Sequence, residues 1–174
     1  MHRRRGKSLG LLTVLVATAV ALAGVVLWAA RLDPAVRRAS VSPARAVEVP
    51  AIRALRGWDR RRAEAYAAGD LAALRRLYVP GSRAGAADLA MLRRYVARGI
   101  RVTGMRMQLL AVDVRAHTPR LLRLRVTDRL TRAEAVAAGG GWHAALPRDR
   151  ATVHELTMTR GPVSRWRVAA VRDR

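Results

Sequence analysis

The sequence predicts an α+β domain carried behind an N-terminal transmembrane helix. Three observations lead there: residues 9–30 hold no charged side chain, apolar residues between Pro50 and Gly99 recur at helical spacing, and beyond Gly99 the apolar period falls to two. Helices followed by a run of strands is the layout of a helical layer packed on an antiparallel sheet.

The 22 residues of the uncharged run would form a helix of about 33 Å, enough to cross a hydrocarbon core about 30 Å thick. Arg3, Arg4, Arg5 and Lys7 precede it, so residues 1–8 read as a basic cytoplasmic tail. A secretory signal has similar parts, and Ala19-Val20-Ala21 and Ala21-Leu22-Ala23 offer small residues at cleavage-like spacing, which makes secretion after cleavage the alternative. Cutting after Ala23 would leave an apolar stub containing Trp28, whereas an intact span sets that indole near an interface, where it is favoured. The anchor is therefore preferred. Arg31, Arg37, Arg38 and Arg45 match the leading cations in number, yet the leading four are the more concentrated, and long domains after a first span translocate largely regardless of charge. The expected topology is a cytoplasmic N-terminus and an extracytoplasmic C-terminal domain.

The net charge is +22, and of the 34 basic residues 33 are arginine, in a chain without Phe or Cys. Such usage reads as the bias of a GC-rich genome. Background does not account for all of it, since GC-rich codons also supply Asp and Glu, and residues 31–174 still carry 30 Arg against 12 acids. Attraction to anionic surfaces follows; outside the cytoplasm these are lipid headgroups and wall polymers. Nucleic acid is a weaker alternative, because the chain has no RNA-recognition signature, no zinc-finger spacing and few aromatics for stacking. With no cysteine there is no disulfide framework, and burial must hold the domain together.

Residues 31–49, with Pro34, Pro43, Ser40 and Ser42, fit a stalk, and residues 50–174 are long enough for one domain with a single core. Pro50 suits an opening turn; Ile52, Leu55, Asp59 and Tyr66 then fall near one helical face, and Gly69 ends the helix. Asp70 is placed to cap a second helix over 71–78, closed by Pro80-Gly81-Ser82, and Asp88 to open a third through Leu89, Leu92, Tyr95 and Val96, ended by Gly99. Strands are expected over 100–103, 105–115, 121–131, 152–160 and 164–171. Residues 137–150, with Gly139-Gly140-Gly141, read as a long loop; no Lys-Ser/Thr and no helix follows the glycines, so a phosphate cradle is not expected.

The run Trp58 to Arg62, then Ala65-Tyr66-Ala67-Ala68-Gly69-Asp70, then Leu74 and Leu77-Tyr78, resembles the nuclear transport factor two-like superfamily, mainly through Gly-Asp-x-x-x-Leu-x-x-Leu-Tyr. The resemblance spans about residues 50 to 172. It implies a cystatin-like cone, a curved antiparallel sheet wrapped around a long helix with a pocket between them. Superfamily members include ketosteroid-isomerase-like and polyketide-cyclase-like enzymes beside domains that only bind or scaffold, and membrane-tethered versions look like accessory proteins of actinobacterial envelopes.

Asp128 is the sharpest local anomaly. In 121–131 the residues Leu122, Leu124, Val126, Asp128 and Leu130 share one face, so a carboxylate stands on the apolar side. It either pairs with an arginine that fixes helix to sheet, the reading favoured by the abundance of arginine, or serves as a pocket acid whose pKa is raised. Asp59 poses the same question from the helix, with Trp58 and Tyr66 expected along the same cavity. No family catalytic residue maps onto a specific motif, so none is transferred. His117, His143 and His154 form no metal-ligand spacing, and neither a metal nor a cofactor is expected. Ser82 lacks the nucleophile elbow and reads as a cap. Arg60, Arg61, Arg62, Arg93 and Arg94 are candidates for an anionic surface, against the ordinary reading of solvated helix faces.

These observations point to a single-pass, membrane-anchored, extracytoplasmic domain that binds or scaffolds, with an envelope complex, a second copy of the chain, or anionic lipid or wall polymer as partner. The alternatives are an enzyme using a pocket carboxylate and a basic domain binding anionic polymer or nucleic acid.

Overall fold

Helix α1 (Pro43–Ala68) supplies the long element of the domain in a computed structural model that describes residues 43–161 and 165–173. The expected transmembrane segment and residues 31–42 of the stalk lie outside the described residues; among those described, no helix is long and apolar enough to cross a membrane. Residues 43–49 are helical rather than stalk, and the helix runs through Pro50, giving up one backbone hydrogen bond there. Its buried stripe is Ala51, Leu55, Trp58 and Ala65, spaced four, three and seven apart, with Tyr66 beside Ala65.

Gly69, at φ +65°, ends α1, and Asp70 accepts from the Ala73 amide at 2.8 Å to start α2 (Leu71–Arg76). Helix α3 (Arg83–Ala97) begins earlier than expected. Ser82, not Asp88, is its cap, accepting from the Gly85 amide at 3.2 Å, and Asp88 stands inside the helix with its side chain in the core. A Cβ at Gly85 would meet the Tyr78 side chain at 2.7 Å, so only glycine lets that ring lie against α3.

Five strands follow: β1 (Ile100–His117), β2 (Leu121–Ala137), β3 (His143–Ala145), β4 (Thr152–Arg160) and β5 (Trp166–Asp173). They form one antiparallel sheet in the order β1-β2-β4-β5, with β3 beside the far end of β2. Gly104 does not divide β1 into two strands as expected. It takes φ +64° within an irregular stretch of the β1–β2 register, one of several that bend this pair. Another places Thr131 as an extra residue on β2, which shifts the buried alternation from Leu122, Leu124, Val126 and Asp128 to Ala133 and Ala135. The expected loop 137–150 instead contains β3, and its remainder lies along β2, with the Leu146 and Asp149 amides donating to the carbonyls of Ala133 and Leu130.

The core lies between the helices and the inner face of the sheet, where Leu122, Leu124, Val126, Leu156, Met158 and Val168 meet Leu55, Trp58, Leu74 and Leu92. Two polar ties fix the helices. The Leu77 carbonyl accepts from the Trp58 indole at 3.0 Å and the Val168 amide at 2.9 Å, joining α1, the end of α2 and β5. The Asp88 carboxylate accepts four hydrogen bonds: from Arg62 Nε at 2.8 Å and Nη2 at 2.6 Å, from the Tyr66 hydroxyl at 2.6 Å and from the Tyr78 hydroxyl at 2.8 Å.

Burial works against the charge on Asp88, but the Arg62 bonds and charge, with the two hydroxyls, outweigh it and hold the carboxyl below its usual range. Removing it would leave a cation and two buried hydroxyls unpaired, so Asp88→Ala is expected to lose about 3–5 kcal/mol in urea denaturation. Because the folded-state pKa is depressed, this stabilisation is complete above the unfolded value of 3.8 and is lost as pH falls through the folded value. Wild-type melting temperature should therefore drop in acid more steeply than that of the variant.

Candidate functional site

Arg56, Asp59, Arg60 and Ala63 follow the i, i+3, i+4, i+7 pattern of one helical face, and on α1 that face borders a groove of about 920 Å³ against β1. The strand contributes Met105, Met107 and Leu109. The groove thus has the apolar strand residues Met105, Met107 and Leu109, four arginines, of which Arg56, Arg60 and Arg62 come from the helix and Arg106 from the strand, and one carboxyl group, that of Asp59.

The register extends this site into the sheet. Leu109 lies directly opposite Asp128, and directly opposed residues share a face, so Asp128 stands behind the groove on β2. Val126 lies opposite His154 on β4, which brings His154 to the same face one strand further on. His154 Nε2 is 3.6 Å from Asp128 Oδ2, an ion pair when the imidazole is protonated. Their side chains keep 17% and 10% of their exposure, enough for water to reach them.

Burial, then the negative charge of Asp128, pushes the Asp59 carboxyl from 3.8 up to about 6, and Arg62 pulls it only part of the way back. Burial also raises Asp128, against the opposing charges of His154 and Arg62. Asp59, with its carboxyl raised to about 6, can take up and release a proton close to neutral pH, and the negative charge of Asp128 beside it favours the protonated form. Among the described residues no group of three His, Cys, Asp or Glu side chains is arranged to hold a metal ion.

The sequence expectations divide here. Asp59 and Asp128 do come together, but the near partner of Asp128 is His154 rather than an arginine, because the strand register delivers His154 beside it while Arg62 is held by Asp88. Trp58 and Tyr66, expected along the cavity, are buried in the core with their polar atoms used by Leu77 and Asp88. The run Arg60-Arg61-Arg62 is no single cationic surface: Arg60 and Arg62 both line the groove, but the Arg62 guanidinium is bound to Asp88, and successive helical residues turn by about 100°, which sends Arg61 to a different cleft. Arg93 and Arg94 are exposed on α3. His154 was missed, although it alternates with the buried Leu156 and Met158 and so belonged to the inner face.

Element order, sheet topology and a long helix against a bulged antiparallel sheet make an α+β fold of the kind that the resemblance to the nuclear transport factor two-like, cystatin-like superfamily implies. No protein-family model matches the sequence, and no curated protein matches it. Among solved structures, the chain is similar to Aln2 from a Streptomyces species, at 14% identity over 69% of this chain and 88% of that one, with a TM-score of 0.45. It is also similar to a protein with a cystatin-like fold from Caulobacter vibrioides (13% identity, 70% and 87% covered, TM-score 0.41) and to an NTF2-like protein from Rhodospirillum rubrum (16%, 67% and 93%, TM-score 0.40). The likeness is one of architecture.

Because the folded state resists ionising Asp59, wild-type stability should fall as pH rises from about 4 through about 6 and stay at the lower level above that. Asp59→Asn removes this burden. Thermal melts at pH 8 should find the variant more stable by roughly 1–3 kcal/mol, with the gap closing below pH 4.

Proposed function

We propose that this protein is a membrane-anchored, extracytoplasmic binding domain whose groove between α1 and β1 takes a small apolar anion. One observation carries the binding reading: methionine and leucine side chains on the strand stand opposite Arg56 and Arg60 on the helix, so an apolar body and an anionic head are each matched. The anchor rests on the uncharged run at residues 9–30 and the cations ahead of it. The arginine surplus agrees with a position beside anionic lipid or wall polymer.

A second reading is favoured by Asp59, Asp128 and His154. A carboxyl with a pKa of about 6 on the groove, backed by a second carboxyl and an imidazole, is suited to general acid–base work on a bound substrate. Asp59 would exchange the proton at the groove, with burial first and then the charge of Asp128 raising its affinity. In that case turnover would carry a pH limb near 6 that Asp59→Asn removes, while a binding domain would keep its ligand through the same substitution.

Calorimetric titration with octanoate checks the groove itself. Saturable binding is expected in the wild type and its loss in Ala63→Trp, which fills the groove; binding that survives the substitution would place the ligand elsewhere. Protease added to intact cells should degrade the C-terminal domain, and a domain left whole until lysis would reverse the topology.

A further inference from the structure

A second cleft, of about 320 Å³, lies between the C-terminal half of α1, α2 and the start of β5, apart from the groove against β1. Four guanidinium groups line it, those of Arg61, Arg76, Arg165 and Arg167, against the two carboxylates of Glu64 and Asp70. One oxygen of Asp70 already caps α2. Among the described residues none of these four arginines forms an ion pair; Arg62, Arg115, Arg132 and His154 supply the cations that do.

Arg61 makes the cleft more than a solvated patch. Its Nε is buried without a hydrogen-bond partner, a state that native structures rarely leave uncompensated. Burial, then the charges of Arg165 and Arg60, lowers its pKa, and Glu64 offsets only part of that. Like charges gathered around an unsatisfied guanidinium are costly unless an anion joins them. The cleft also has an apolar side, made by Ala65, Leu77 and Trp166. The Arg160 guanidinium stacks 5.2 Å from the Trp166 ring centroid and covers one face of that wall.

We propose that this cleft is a second binding site, for a phosphoryl group carrying a short apolar substituent. Four cations against two carboxylates leave two positive charges, which a phosphate dianion balances. Planar guanidinium forks match phosphate oxygens, and the apolar substituent lies against Leu77 and Trp166. An anionic lipid headgroup and a soluble phosphate monoester share this chemistry.

The test uses the full chain in neutral detergent, titrated calorimetrically with phenyl phosphate and with inorganic phosphate. Saturable binding at one site is expected, tighter for phenyl phosphate because of the apolar wall. The double variant Arg76→Gln/Arg165→Gln, altered only at exposed side chains, should weaken phenyl phosphate by about 10- to 100-fold. Arg123→Gln/Arg125→Gln removes the same charge from exposed positions on β2 and should change nothing. Equal losses in the two double variants, or no saturable binding in the wild type, would overturn the site. Competition with dihexanoyl phosphatidylglycerol separates the sources. Displacement of phenyl phosphate identifies a lipid headgroup, and its absence, with phenyl phosphate still bound, identifies a soluble monoester.

Discussion

The Asp88 carboxylate is the constraint on which the helical layer depends. It gathers Arg62 and Tyr66 of α1 and Tyr78 from the segment after α2 onto α3 through four hydrogen bonds, so three separate stretches of chain share one charge. An ionised carboxylate with that many donors is stable inside a protein, and each donor would be left wanting without it. This fixes the rotation of α1 about its own axis. Arg62 points to Asp88, and Asp59, three residues earlier, is thereby held at the border of the groove.

That rotation gives neighbouring charges opposite fates. Asp88 has its donors and stays ionised; Asp59 and Asp128 lack such a set, burial raises the proton affinity of both, and the charge of Asp128 adds to the rise at Asp59. Arg62 has its acceptor, whereas Arg61, one residue away, buries an Nε without one. In both pairs the environment, not the residue type, decides whether the charge holds the fold together or remains available to a ligand.

The sheet positions the site by register. The irregularities in β1 and β2 bend the long hairpin and shift the alternation beyond Thr131, and the direct opposition of Leu109 to Asp128 and Val126 to His154 places β-sheet chemistry behind an otherwise apolar wall. A slip of one residue would turn Asp128 to solvent and dissolve the site.

Helices first and strands afterwards, the cap at Asp70, the stop at Gly69, and a carboxylate on the apolar face of 121–131 were all legible in the sequence, because they depend on local periodicity and backbone preference. Asp59 and Asp128 stand out in the sequence for the same reason, as carboxylates on apolar faces. Assigning Asp88 to a helix cap failed because its partners are 10 to 26 residues away, beyond any local pattern. Trp58 and Tyr66 read as cavity residues in the sequence because aromatic residues suit both a core and a pocket, and only their hydrogen-bond partners distinguish the two. The sequence by itself determined which faces are apolar and which positions cap or break an element. The tertiary structure alone decided which charges meet, since the energy of a buried charge depends on neighbours that strand register and helix rotation bring together from distant parts of the chain.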